Sequence, residues 1–266
     1  MNNPIDLPQD IKTDEHRSTS VEFTEKERTY SLVGTTEDEY ILSEIRREAT
    51  FYESDLLSLI CHLSIPDGIF LDVGANIGNH SLFFAGEMDR DVYAFEMDNK
   101  NFRLLEDNIQ RNGLSQKVRA FNVAVSDIEG SVGFSRNPRN CGASQIETNP
   151  EIFAGESFAV ALDNFIQDSR FSDFQANSVA LVKIDVEGHE LHVLRSAIGL
   201  ISKFKPIIVV EIHKPQDFNS IFKMLNKFDY YPLMVGAKSD TYIFCEHSAV
   251  NQNLNLAKIY YTRKHE

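Results

Sequence analysis

Short apolar runs alternate with longer amphipathic segments through most of this chain, and that alternation admits few folds. IFLDVG, VYAFE, VRAFNVAV, VALVKIDV and PIIVVEIH read as strands. Each is apolar nearly throughout, so both faces must be covered. The stretches after them read as helices. IGNHSLFFAGEM is one, and NKNFRLLEDNIQRNG, stopped by Gly113, is another. Two more carry Leu191, Leu194, Ile198 and Ile201, and then Phe218, Ile221, Phe222, Leu225 and Phe228. Strands and helices in this order predict an α/β fold built on a doubly wound, mostly parallel sheet. YYPLMV and TYIFCE, with turn residues between them, predict a C-terminal antiparallel hairpin.

A chain of 266 residues suits one large α/β domain with flanking pieces. Residues 1–28 are polar and lack apolar period, and are expected to form a flexible N-terminal arm. Residues 29–66 are expected to form a helical cap, with Ile41, Leu42 and Ile45 at helical spacing. Leu56, Leu57, Ile60 and Leu63 follow a cap at Ser54. The main domain is then 67–246, and 247–266 a C-terminal extension. Inside the domain, residues 136–158 are polar and long for a connection, which points to a lid over a ligand.

Charge and cysteine usage exclude some classes. Lys plus Arg number 26 and Asp plus Glu 40, a net charge of −14, which repels polyphosphate and argues against a nucleic-acid partner. Cys61, Cys141 and Cys245 are scattered, with no zinc spacing and no disulfide framework. MNNPIDLPQD shows no basic stretch followed by an apolar one, and no run is long enough to span a bilayer. The expectation is a cytoplasmic protein without membrane insertion.

The turn after the first of the alternating strands, FLDVGANIGNH, carries Asp72, Gly74, Asn76 and Gly78. Glycines there allow a tight turn and a close backbone approach to a ligand, and the next helix offers unpaired N–H groups. A dinucleotide site needs G-x-G-x-x-G, and here the middle glycine is Asn76. The lysine and Ser/Thr of a P-loop are missing too. The following strand ends in Glu96, at the spacing of a carboxylate that binds both ribose hydroxyls. A nucleoside without a phosphate bridge, with a zwitterionic tail near Asp72, describes S-adenosylmethionine. A nicotinamide-dependent oxidoreductase is the rival that the missing glycine weakens.

FLDVGANIGNHSLFFA, VYAFEMDNKNFRLLEDNIQRNGL, FNVAVSD and above all LVKIDVEGHELHVLRSA resemble the motifs of the FkbM family of S-adenosylmethionine-dependent methyltransferases. FYES, before the core, resembles a short family element. The resemblance implies a seven-stranded sheet ending in an antiparallel hairpin, and O-methylation of a sugar or other small hydroxyl compound. It implies that Asp72, Gly74, Asn76 and Gly78 contact the methionine part, Glu96 the ribose, and Met97 the adenine. Asn122 and Ala124 would lie near the adenine as well.

Two strand ends carry candidates for the chemistry: Asp185 and Glu187 in KIDVEG, and Glu211 and His213 in VVEIH. Asp185 with Glu211 offers oxygen ligands for a divalent cation such as Mg²⁺. Alternatively His213 is the general base. Both readings stand open at the level of sequence. Glu187 and Glu190 also suit a helix N-terminus. Lys183 suits an ion pair at the sheet's rim, His80 a helix face, and His189 and His192 solvent. No Asn/Asp-Pro-Pro-aromatic run follows the KIDV strand, which argues against an amino group of a nucleic-acid base as acceptor.

Overall fold

The structure, a computed structural model, describes residues 19–35, 39–137, 140–147, 149–167, 178–212, 214–235 and 240–264. The chain opens with β1 (Thr19–Glu25) and β2 (Arg28–Gly34), an antiparallel ribbon, then α1 (Glu39–Glu48) and α2 (Ser54–His62). The main sheet begins with β3 (Ile69–Val73), followed by α3 (Asn79–Gly86), β4 (Val92–Phe95), α4 (Asn99–Arg111) and β5 (Val118–Phe121). A four-stranded sheet comes next: β6 (Ala124–Val125), β7 (Gly130–Asn137), β8 (Asn140–Glu147) and β9 (Gly155–Val160). After α5 (Leu162–Phe165) the chain returns as β10 (Val179–Ile184), α6 (Glu190–Arg195), α7 (Ile198–Phe204) and β11 (Ile207–Glu211). It closes with α8 (Pro215–Leu225), β12 (Tyr230–Val235), β13 (Thr241–Glu246) and α9 (His247–Lys264).

The main sheet is mixed, with seven strands in the order β12-β13-β11-β10-β3-β4-β5. β11, β10, β3, β4 and β5 pair parallel in sequence across it, while β13 pairs antiparallel with both β11 and β12. Its strands are apolar because their side chains alternate between two cores. Phe70, Val92, Ala94, Ile207 and Val209 face a layer completed by Leu57, Leu82, Phe84, Leu105 and Ile109. Leu71, Val73, Phe95, Val182, Ile208 and Val210 face one completed by Leu162, Phe165, Val193, Leu200 and Ile221. Each fully buried aliphatic or aromatic side chain there contributes about 1.5–3 kcal/mol. After β3 the chain moves to β4 on one side, while β10 lies on the other. That reversal opens a crevice at the strands' carboxyl ends.

Several elements differ from the sequence expectation. The supposed arm supplies β1, whose Val21 and Phe23 point into the core, and residues 1–18 lie outside the described residues. The 29–66 segment begins with a strand rather than a helix. Ser54 starts α2, but the boundary residue is Glu53, left-handed at φ 56°, without a side-chain cap. VRAFNVAV is two strands in two sheets, because the chain leaves the main sheet after Phe121. Much of the polar 136–158 segment is β-structure, with β7, β8 and β9 pairing antiparallel. The C-terminal extension is the helix α9, whose buried Asn253 accepts a 2.7 Å hydrogen bond from the Ser64 N–H.

The β1–β2 ribbon is fastened by Asn108 of α4 and by Asn112 at that helix's C-cap. Asn108 accepts from the Val33 N–H (2.7 Å) and donates to the Val33 carbonyl (2.9 Å). Asn112 does the same for Ser31 at 3.0 and 2.8 Å. Side-chain amides thus complete an edge strand that would otherwise present unpaired groups. The Asn108 amide also donates to the Ile77 carbonyl (2.8 Å), within the turn that follows β3.

Candidate active site

The turn after β3 is built against the end of β10. The Gly74 and Ala75 N–H groups both donate to the Phe95 carbonyl at 3.0 Å, and the Asp185 N–H donates to that of Val73. Gly74 has φ +81°, and a Cβ there would lie 1.8 Å from the Asp185 carbonyl oxygen. This glycine is therefore required first by backbone packing, ahead of any ligand. Gly78 (φ +96°) leaves room for Leu105 of α4, 2.7 Å from the place of a Cβ. Gly74→Ala is expected to destabilise the fold by on the order of 3 kcal/mol through strain and overlap, measurable by urea denaturation.

Glu96 directly follows β4 and is buried. Its Oε2 accepts from the Asn76 N–H and its Oε1 from the Asp98 N–H, each at 2.8 Å. Burial pushes its carboxyl up to about 7, against the pull of those two N–H groups. The Asn122 amide donates to the Glu96 carbonyl (2.8 Å) and the Met97 carbonyl (3.2 Å), bracing the loop from outside. Asp98 caps α4 through the Lys100 N–H and is gripped by both Arg136 nitrogens, Nε and Nη2, from β7. Ser144 of β8 reaches the same carboxylate at 3.3 Å. Burial alone would raise Asp98, but the Arg136 guanidinium holds it below the usual carboxylate range.

A cavity of about 440 Å³, its open mouth included, lies in this crevice. Gly74, Glu96, Met97, Ala124 and Asp185 line it, all singled out from sequence. Phe95, Val125, Ser144 and Ile146 line it too and were not, and so does His189, which the sequence assigned to solvent. Asn122 and Gly78 serve its walls rather than its lining. His189 is not a solvent-facing residue. It stacks on His192 with ring centres 4.3 Å apart, and its Nε2 lies 3.0 Å from Ser126 Oγ. Burial and the adjacent His192 push it down to about 4, which leaves it neutral at physiological pH. His192 pairs with Asp127 at 2.7 Å. Glu190 accepts the Gly188 N–H at 2.6 Å, a helix-start role.

Behind the cavity's floor lies a charged cluster. Lys183 is buried, not at a rim: its Nζ stands 3.1 Å from Asp185 Oδ2 and 3.5 Å from Asp72 Oδ1. Burial alone would lower Lys183, but Asp185 and Asp72 outweigh it and hold the ammonium above its usual range. Asp72 accepts from Ser81 Oγ at 2.6 Å on its other oxygen. Asp185 and Glu211 are hydrogen-bonded to each other. Burial would raise both, but Lys183 keeps Asp185 ionised, below the usual range. Glu211, raised by burial and by that neighbour, carries the shared proton. Among the described residues no group of three or more side chains is placed to hold a metal ion, and Asp185 already faces an ammonium. His213 lies outside the described residues.

Sequence reading also missed His80 and Glu53. His80 is buried at 7% exposure, with Nε2 3.3 Å from Glu53 Oε2. It is buried against Glu53, so it is an interior residue rather than one on a helix surface. The signal was FYES itself, quoted without a role.

A doubly wound sheet with a cavity at its reversal point and an acid beside it is the arrangement in which α/β proteins hold a small ligand. The chain belongs to the FkbM methyltransferase family: a family model, the methyltransferase FkbM domain, matches residues 72–232. It is a methyltransferase. It is 26% identical over 175 residues to the hexuronic acid methyltransferase AglP of Haloferax volcanii, covering 66% of this chain and 68% of that one. Among solved structures it is similar to methyltransferase FkbM from Methylobacillus flagellatus KT, with 18% identity and a TM-score of 0.49. That match covers 67% of this chain and spans 43% of the other's length. Pyrococcus horikoshii TYW2, solved in complex with MeSAdo, matches with 14% identity and a TM-score of 0.43, covering 85% and 69% of the two chains. Among the described residues no helix is long and apolar enough to cross a membrane.

Proposed function

We propose that this methyltransferase takes S-adenosylmethionine as donor and methylates a hydroxyl of a sugar or small metabolite. The observation that carries the donor is Glu96, a buried carboxylate fixed by two backbone N–H groups on the wall of a cavity sized for a small ligand. Each Glu96 oxygen keeps a lone pair for a ribose hydroxyl. The methionine end would lie along the turn after β3, which reaches the cavity at Gly74. Met97, Ala124 and Ile146 give the adenine apolar walls. The sugar acceptor named for the haloarchaeal relative supports the acceptor class.

The donor supplies an electrophilic methyl on a positively charged sulfur. Asp185, ionised at the cavity's edge, accepts the acceptor's O–H hydrogen bond and so aims its oxygen. As the O–CH₃ bond forms and the S–CH₃ bond breaks, the hydroxyl proton passes to Asp185. Lys183 fixes that carboxylate from behind, and Glu211 orients it through the shared proton.

Calorimetric titration with S-adenosylhomocysteine, with NAD as control, tests the donor. Because ribose hydroxyls donate to an ionised carboxylate, binding releases a proton from Glu96. Affinity is therefore expected to rise with pH up to about 7, by as much as about tenfold per unit. Glu96→Gln should weaken binding and flatten that dependence. Tighter binding of NAD, or a Glu96→Gln protein with wild-type affinity, would refute the reading.

A further inference from the structure

One wall of the crevice cavity comes from the four-stranded sheet, where Ser144 and Ile146 of β8 line it. Across the β7–β8 pair Arg136 stands opposite Ser144, and Phe134 opposite Ile146. Cross-strand partners share a face, and so do residues two apart along a strand. All four side chains therefore lie on one face of the hairpin, the face that meets the crevice. Among the described residues β8 pairs only with β7 and forms the edge of its sheet. Backbone pairing thus holds this wall of the cavity from one side.

Asp98 holds it from the other. Arg136 grips the Asp98 carboxylate through Nε and through Nη2 (2.6 Å), and Ser144 Oγ reaches it at 3.3 Å. The Asp98 side chain is buried and that of Arg136 mostly so. A two-point guanidinium–carboxylate contact shielded from water is strong and fixed in direction. The Asp98 N–H holds Glu96 Oε1 at 2.8 Å, and its side chain caps α4. One residue therefore ties the β8 wall to the loop that carries Glu96. Arg136 itself is not part of the cavity lining. Burial raises the Glu96 carboxyl most; its two backbone N–H partners lower it, the Asp98 charge raises it and Lys183 of β10 lowers it. Asp98, which burial alone would raise, is kept ionised by Arg136.

We propose that Arg136 is a positioning residue for the donor: acting through Asp98, it holds the β8 wall against the crevice and offsets the negative charge beside Glu96. This rests on the reading of Glu96 as the ligand of the donor's ribose. Two single substitutions should then move one property in opposite directions. Arg136→Met leaves the Asp98 charge without its counter-charge, so Glu96 keeps its proton to higher pH. Asp98→Asn removes that charge but keeps the helix cap and the backbone N–H, so Glu96 gives up its proton at lower pH.

Carboxyl ¹³C NMR of Glu96 in the free proteins is the test. Its titration midpoint is expected above the wild type's in Arg136→Met and below it in Asp98→Asn, each by about half a pH unit or more. Arg136→Lys restores the charge without the two-point grip, and should return the midpoint toward the wild type. Calorimetry with S-adenosylhomocysteine at pH 7 should find affinity reduced about threefold or more in Arg136→Met, and still rising with pH where the wild type has levelled off. If Arg136→Met does not fold, Arg136→Gln takes its place with the same expectations. A merely structural role would move the two midpoints the same way or leave both unmoved. Either result, or an Arg136→Met protein with wild-type affinity, overturns the proposal. A wild type that binds no S-adenosylhomocysteine overturns the donor reading instead, and the NMR midpoints alone then judge the role of Arg136, with the same outcomes.

Discussion

Replacing Lys183 by Met is expected to lower folding stability by about 3–5 kcal/mol, because it removes a buried cation from between the buried Asp72 and the half-buried Asp185. Lys183 is 5% exposed, and Asp72 is wholly buried. Methionine fills the space of the stem but leaves Asp72 and Asp185 facing each other without a counter-charge. The sign of the pH dependence separates this from a packing defect. In the wild type, Lys183 holds Asp185 below the usual range, so that contribution is present at neutral pH and lost as the pH falls below about 4. In the variant the carboxylate is destabilised by burial and takes up a proton more readily. The gap between the two proteins should therefore be widest near neutrality and should shrink toward pH 4. Urea denaturation at both pH values decides it; a gap that does not change with pH rules out the electrostatic role.

Asp185→Asn is expected to reduce turnover by about 10²–10⁴-fold while S-adenosylhomocysteine binding changes by no more than a few-fold. The amide keeps the shape of the carboxylate and its hydrogen bond with Glu211. It no longer accepts the proton that leaves the acceptor hydroxyl, and it orients that hydroxyl less strongly. Lys183 retains Asp72 as a partner, so the variant should fold. The informative split is between kcat and cofactor affinity. A large loss of cofactor affinity would assign Asp185 to the donor site, and wild-type turnover would remove it from the mechanism.

The main sheet was legible in the sequence because its strands are buried on both faces, which leaves an uninterrupted apolar run. The smaller sheet was not. Phe134 is buried, while Ser131 is exposed and Ser135 and Arg136 are partly so, and on average such a strand reads as a polar loop. β1 hides in the same way, with Val21 and Phe23 inward and glutamates and threonines outward. In both places a period of two was written in the chain but masked by polarity. The glycine turn and Glu96 could be found because both sit at strand ends at a recognisable spacing. What those residues press against could not. Gly74 is fixed by a carbonyl far along the chain, Asp98 by Arg136 of another sheet, and Glu53 by His80. Contacts of that kind follow from topology, and no local pattern encodes them.

The Asn108 side chain, which holds the β2 edge with one set of hydrogen bonds and the Ile77 carbonyl with another, makes the N-terminal ribbon and the glycine turn a single cooperative unit. Amide protons in the two regions should then exchange with solvent through a common opening event. A shortened protein that starts after residue 35 would keep every residue named for catalysis, yet it would lose the partner that orders one side of Asn108. Domain boundaries drawn around the main sheet alone would cut through the scaffold of the site.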